Sequence, residues 1–158
     1  MRRLLCDGML AGLARWLRAA GHDAALAAPG EPDARLLEHC RADSRVLLTR
    51  DRRLAGRAAP TLAVVQLDGN DAEADAVRLA RALDLDWTFA PFTRCMVDNT
   101  PLMAAGPDEI ARMPGRTRAL AGPFRACPTC GRVYWPGSHA RRMLAKLQRW
   151  RDLAAAGG

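Results

Sequence analysis

Two groups of residues in this 158-residue chain have the types and spacing to do chemistry. The first is rich in thiols. Cys127-Pro-Thr-Cys130-Gly is a tight turn that aims two thiolates at one point, and Cys95-Met-Val-Asp98 repeats the spacing with an acid in the last place. The turns are separated by 28 residues, which is the layout of a zinc ribbon. Zinc accepts a carboxylate oxygen beside thiolates, so Cys95, Asp98, Cys127 and Cys130 are the expected ligands of a structural Zn²⁺. His139 is an alternative fourth ligand. The alternative to a metal is a degenerate ribbon in which Asp98 only caps its turn. A redox pair is disfavoured, because no helical pattern follows the Cys127–Cys130 turn. Cys6 and Cys40 lie in apolar stretches and read as small buried hydrophobes.

The second group is acidic. Asp7, Asp51 and Asp68 each follow an apolar run that reads as a strand, and Asp33 falls in the first turn of a helix. In a parallel sheet these positions share one edge. Clustered carboxylates repel unless cations compensate, and the hard ions Mg²⁺ or Mn²⁺ suit oxygen ligands with several retained waters. Such an ion activates water and neutralises charge in phosphodiester hydrolysis. Taken singly, each acid is also a good helix cap or first-turn residue. Capping is the preferred reading for Asp71, and the two readings are balanced for Asp68. For Asp7, Asp33 and Asp51, convergence on one edge favours the metal.

The elements that must position these residues follow from periodicity. Residues 3–6 predict a first strand, and residues 9–20 a helix closed by Gly21. Residues 23–27 predict a second strand, and a second helix has Pro32 as its first residue. Residues 46–49 form the clearest strand, followed by a short helix at 52–58 and a strand at 62–67. A helix capped by Asp71 or Asn70 then runs to Leu83. Alternation of this kind implies an α/β fold with a parallel sheet covered on both sides. Open sheets of that type place their sites outside the carboxyl ends of the strands. Beyond Leu85 the pattern breaks, and residues 86–137 hold seven of the ten prolines. That stretch has too few apolar residues for a core of its own and needs a staple. Ser138 is expected to cap a last helix, with Met143, Leu144, Leu147 and Trp150 on its apolar face. The division is a domain at 1–88 and a small zinc-ribbon subdomain with a basic C-terminal helix at 89–153.

Charge is distributed unevenly. The net charge is +7, yet residues 1–111 hold 14 Arg against 16 Asp and Glu. Residues 112–151 hold nine Arg and Lys146 with no acid. An acid-free arm of this length fits a polyanionic partner such as nucleic acid. Arg50, Arg52 and Arg53 flank Asp51; solvent-facing arginine is the first reading, and a grip on neighbouring phosphates is the alternative. Tyr134 and Trp135 read first as packing against the ribbon, with stacking on a base as the alternative; Arg15 and Trp16 read as packing and solvated face. No apolar run approaches the ~20 residues of a membrane span. With an odd cysteine count and no leader-like opening, a cytoplasmic protein is expected.

Several segments together resemble the Mut-seven C-terminal ribonuclease family, a group of PIN-like nucleases with an appended zinc ribbon. They are Leu5-Cys-Asp7-Gly-Met-Leu, Leu13-Ala-Arg-Trp-Leu-Arg18, Gly21-His-Asp23 and Val46-Leu-Leu-Thr-Arg-Asp51, then Phe92-Thr-Arg-Cys95 and Cys127-Pro-Thr-Cys130-Gly-Arg-Val-Tyr-Trp-Pro-Gly-Ser-His139. The likeness covers about residues 3–145. It implies a PIN-like three-layer domain, a metal-dependent endoribonuclease site on Asp7, Asp33 and Asp51, and zinc held by two CxxC turns. The substrate it implies is RNA, tRNA or another structured RNA included. Two positions depart from the family pattern: Ala11-Gly12 replaces a lysine near the first acid, and Asp98 stands where the family has cysteine. The rival readings are a non-catalytic RNA-binding or protein-interaction module on the same fold, and a toxin-like nuclease controlled by a protein partner.

Overall fold

The computed structural model describes residues 2–69 and 71–156. Four parallel strands, β1 (Arg3–Cys6), β2 (Asp23–Leu26), β3 (Val46–Thr49) and β4 (Val64–Gln66), form one sheet in the order β2-β1-β3-β4. Successive residues of a strand face opposite sides, and both sides are apolar here. Leu4, Cys6 and Leu48 enter a core with Ala14 and Leu17 of helix α1 (Ala11–Ala19) and with Ala76 and Leu79 of α4 (Ala72–Leu83). Leu5 and Leu47 face the other way, onto Leu36, Leu37 and Cys40 of α2 (Asp33–Ala42) and Leu54 and Ala58 of α3 (Arg52–Ala58). Burial on both faces is what permits a parallel sheet.

Element boundaries differ from the periodicity in physically readable ways. The first helix begins as a 3-10 turn at Gly8–Leu10 and becomes α-helical at Ala11. Gly21 ends it with φ +95°, and a Cβ there would overlap the Ala90 carbonyl, so close approach of the later chain requires this glycine. Pro32 is the residue before α2 rather than its first, and Asp33 takes the first helical position. Strands β2 and β4 are one and three residues shorter than expected. Asp71 caps α4 by accepting from the amides of Glu73 and Ala74; Asn70, the other candidate cap, lies outside the described residues. Cys6 and Cys40 are fully buried, and burial pushes their thiols up to about 12 and about 11.

After Trp87 the chain builds a small antiparallel sheet of two-residue strands, β5 (Met103–Ala104), β6 (Arg125–Ala126) and β7 (Val133–Tyr134). Two short helices, α5 (Pro107–Ala111) and α6 (Gly115–Arg118), lie between β5 and β6. The last helix, α7 (Ser138–Ala156), returns to the large sheet. Its Met143, Leu147 and Trp150 join the core that holds Leu4 and Leu79. Trp150 meets Trp16 and Trp87 edge-on, with ring centroids at 5.1 and 4.9 Å. Several of the helix's cations are engaged within the molecule: Arg149 pairs with Glu73 at 2.7 Å, and the Lys146 ammonium lies over the rings of Trp16 and Trp150.

Two stability measurements test this packing. Trp150→Ala removes a side chain that is 1% exposed from the contact between α7 and the sheet. It should cost about 3–5 kcal/mol, read from the urea midpoint. His22 is buried, its Nε2 lies 2.8 Å from the Asp86 carbonyl, and its Nδ1 has no partner among the described residues. Burial holds its pKa below the ordinary value against the pull of that carbonyl. The unfolded chain therefore takes up this proton first. The His22 contribution to stability should be constant above about pH 6.5 and should fall as the pH drops below it. His22→Gln should remove that part of the slope.

Candidate active edge and metal centre

In the order β2-β1-β3-β4 the chain leaves β1 toward one side and β3 toward the other. The crevice at the carboxyl ends of β1 and β3 is thus the topological switch point, where open α/β sheets bind ligands. Asp7 and Asp51 stand there. The Asp7 amide donates to the Leu48 carbonyl at 3.0 Å, fixing the residue beside β3. The Thr49 hydroxyl donates to Asp7 Oδ2 at 2.8 Å and accepts from the Asp51 amide at 3.0 Å. Thr49 is fully buried and links the Asp7 carboxylate to the Asp51 backbone. Asp51 Oδ1 accepts from the amides of Arg53 and Leu54, so it both caps α3 and faces the edge.

The other acids are placed differently. Asp33 opens α2 and forms an ion pair with Arg57 of α3 at 2.8 Å. Asp68 pairs with Arg78 at 3.4 Å. Arg50, read as solvent-facing or as a phosphate contact, pairs instead with the buried Asp75 at 3.3 Å, and its stem packs over Gly69. Arg52 and Arg53 remain exposed. Asp7, Asp33 and Asp51 do not bring their oxygens within 4.8 Å of one another as a group; among the described residues, one set of at least three such side chains does so.

That set is Cys95, Asp98, Cys127 and Cys130. The two turns that carry it are built alike. The Cys95 amide donates to the Thr100 carbonyl and the Asn99 amide to the Cys95 carbonyl; Cys127 does the same with Arg132 and Gly131. Asn99 and Gly131, each four residues after the first cysteine, are left-handed with φ of 70° and 72°. Asp98 Oδ1 also accepts from the Thr100 amide at 2.9 Å, and its Oδ2 lies 3.3 Å from Cys127 Sγ. Asp98 therefore caps its turn and faces the thiols at once. His139, the other candidate ligand, is exposed and outside the cluster.

The electrostatics of these donors fit a cation. Burial works against the Asp98 carboxylate, but hydrogen bonds from Thr100, Cys95 and Cys127 outweigh it and hold the group well below the usual range. Burial likewise opposes the Cys127 thiolate, and the amides of Cys130 and Thr129 lower its pKa regardless. The Arg132 amide favours the Cys130 thiolate, but burial with Asp98, Cys127 and Cys95 alongside pushes that thiol up to about 12. The crowding is mutual, and a doubly charged ion relieves it. A soft thiolate set with one oxygen matches zinc and its tetrahedral preference. Tyr134, read from the sequence as packing or as a base-stacking ring, places its hydroxyl 3.2 Å from Cys95 Sγ and accepts from the Met96 amide at 3.2 Å.

The Cys95–Asn99 turn, called the metal turn for the ion its cluster could hold, is docked on the large sheet. Arg18, 5% exposed, donates to the carbonyls of Ala24 at 2.7 Å and Val97 at 2.8 Å. Asn99 donates to Asp23 at 2.7 Å and accepts from the Ala24 amide at 3.0 Å. Asp23 also receives Arg45 at 2.7 Å. Arg18, Tyr134 and Thr49 escaped the sequence reading. Thr49 had a local signal, a hydroxyl two residues before an edge carboxylate; the other two had none, because their partners lie far away in the chain.

Purified protein should carry one equivalent of zinc by elemental analysis. Asp98→Cys should hold it more tightly against a chelator, and Asp98→Ala should release it sooner. Less than half an equivalent in fresh protein, with no change on chelation, would count against a metal centre.

A family model described as the Mut7-C RNAse domain matches residues 2–147. No curated protein and no solved structure matches the chain.

Proposed function

The chain belongs to the Mut7-C RNAse domain family, and from that premise we propose that it is a Mg²⁺- or Mn²⁺-dependent endoribonuclease. In this reading the large sheet with its helices is a PIN-like domain of residues 1–88, and residues 89–153 are a zinc ribbon with its basic helix. The observation that carries the proposal is the Asp7–Thr49–Asp51 unit at the switch point of the sheet. Its acids offer hard oxygen ligands, and Thr49 engages one oxygen of Asp7, leaving the other for a ligand. Asp51 Oδ1 is anchored by the start of α3, leaving Oδ2 for a ligand. When bound, a divalent ion there supplies an activated water and charge neutralisation at the scissile phosphate.

Asp33 would complete the ligand set. Its pair with Arg57 is about half exposed on both sides, and pairs of that kind contribute ~1 kcal/mol or less. That is a weak barrier to exchanging the guanidinium for a metal ion. Asp68, held by Arg78, is in the outermost position. Arg52 and Arg53, exposed beside Asp51, are the cations that reach flanking phosphates. The substrate class is RNA, with tRNA or another structured RNA as the form to test first.

A second reading, a non-catalytic RNA-binding or protein-interaction module, draws support from the Asp33–Arg57 pair and from Ala11-Gly12. Both of these residues are exposed at the start of α1, and a Cβ on Gly12 meets nothing within 4 Å. A cation there would be accommodated but is missing.

Cleavage of a labelled RNA in Mn²⁺ separates the readings. Asp7→Asn and Asp51→Asn should each lower the rate by on the order of 10²-fold or more. Thr49→Val should lower it by about 10-fold, as for loss of a group that orients a ligand. Ala11→Lys should raise it. Equal cleavage by wild type and both Asp variants would overturn the catalytic assignment, and RNA binding without cleavage by any form would favour the module.

A further inference from the structure

Between the small sheet and the start of α7 runs a groove of about 650 Å³ that the proposed catalytic edge does not use. Its walls are largely apolar: Phe92, Met96, Tyr134, Trp135 and Leu144 line it. The Trp135 indole packs beside Gly137. Gly137 donates its amide to the Trp135 carbonyl at 2.8 Å, and a Cβ on Gly137 would come within 2.9 Å of the indole nitrogen. The ring therefore lies against bare backbone, and only glycine leaves room for it there.

The rim carries charge of one sign. Arg125 donates to the Phe92 carbonyl at 2.7 Å and Arg141 to the Pro136 carbonyl at 3.4 Å. Among the described residues neither is in an ion pair with a carboxylate. Both fall in the acid-free stretch 112–151. An aromatic-walled slot with cations at its mouth complements a flat, apolar-faced group that carries an anion on its edge. An unpaired nucleotide has that chemistry: its base stacks on aromatic rings and its phosphate meets arginine. The volume falls in the ordinary range for a small-molecule site and is ample for one nucleotide.

We propose that this groove captures an unstacked base of single-stranded RNA, with Trp135 as the stacking platform and Arg125 and Arg141 on the adjoining phosphates. The proposal rests on RNA as the substrate class and adds a second point of contact away from Asp7 and Asp51. A strand held at both places crosses the catalytic edge in a fixed direction, and a fully paired duplex, whose bases are not free, engages only the backbone cations.

The test is fluorescence anisotropy of zinc-loaded protein without added Mg²⁺ or Mn²⁺, so that binding is read apart from cleavage. The probes are a labelled single-stranded oligoadenylate, the same length of abasic backbone, and a duplex. Trp135→Ala should weaken oligoadenylate binding about tenfold and leave the abasic probe unchanged. Trp135→Phe should retain most of the affinity. Leu144→Glu, a change on the half-buried wall, provides a second variant with the same expected loss. Equal affinity of wild type for oligoadenylate and abasic probe overturns the proposal. So does insensitivity of both variants, or a concentration-dependent dimer that Leu144→Glu dissolves. Base-dependent binding in a protein that fails to cleave RNA upholds the groove while the catalytic assignment falls. Cleavage with base-independent binding does the reverse.

Discussion

Arg18 carries a full positive charge into an interior where an unpaired ion would be prohibitively costly, and the way that charge is satisfied determines how the molecule is put together. Its guanidinium spans from the Ala24 carbonyl on β2 to the Met96 and Val97 carbonyls in the metal turn. Burial lowers its pKa, and the nearby Cys6, Cys95, Asp98 and Asp23 act in the other direction. The thiol-rich turn thus supplies negative charge that Arg18 needs, while Arg18 supplies positive charge that a crowded donor set needs. Three thiolates and a carboxylate still outweigh a doubly charged ion, so the guanidinium has a role whether the turn is viewed as ligand cage or as neighbour. Asn99 and Asp23 make a second, parallel tie between the same two segments.

The consequence for the carboxylate edge is mechanical. β2 is held on one side by β1 and on the other by these polar ties to residues 96–99. β1 in turn sets the position of Asp7 against β3. A disturbance at the metal turn therefore has a short covalent and hydrogen-bonded route to the switch point, through elements that are packed on both faces. Helix α7 closes the opposite side of the same core through Trp150, so late residues of the chain stabilise an edge built from early ones.

Much of this was legible in residue order. The strand–helix alternation, the placement of Asp7, Asp51 and Asp68 after strands, the Asp71 cap and the paired cysteine turns all rest on local signals: apolar periodicity, short polar caps and fixed ligand spacing. What escaped depends on contacts between distant segments. Arg50 looks like a phosphate-binding residue beside Asp51, and only the fold reveals that Asp75 takes it inward. Arg149 and Lys146 look like part of a continuous basic face, yet Glu73 and two indoles engage them. Asp33 reads as a partner of Asp7 and Asp51, whereas a neighbouring helix offers it Arg57. Short elements were also harder to place, because two-residue strands such as β5 have no period to detect.

Lys146 is the single lysine in a chain otherwise supplied with arginine, and it sits over the Trp16 and Trp150 rings at 4.9 and 5.0 Å. Amine-directed chemistry within the described residues consequently has one address, and that address is the seam where the final helix meets the first. Acylation there would strip the cation from both indole faces, while methylation would preserve it. A fluorophore attached at this ammonium would report on the contact between Trp16 and Trp150 directly.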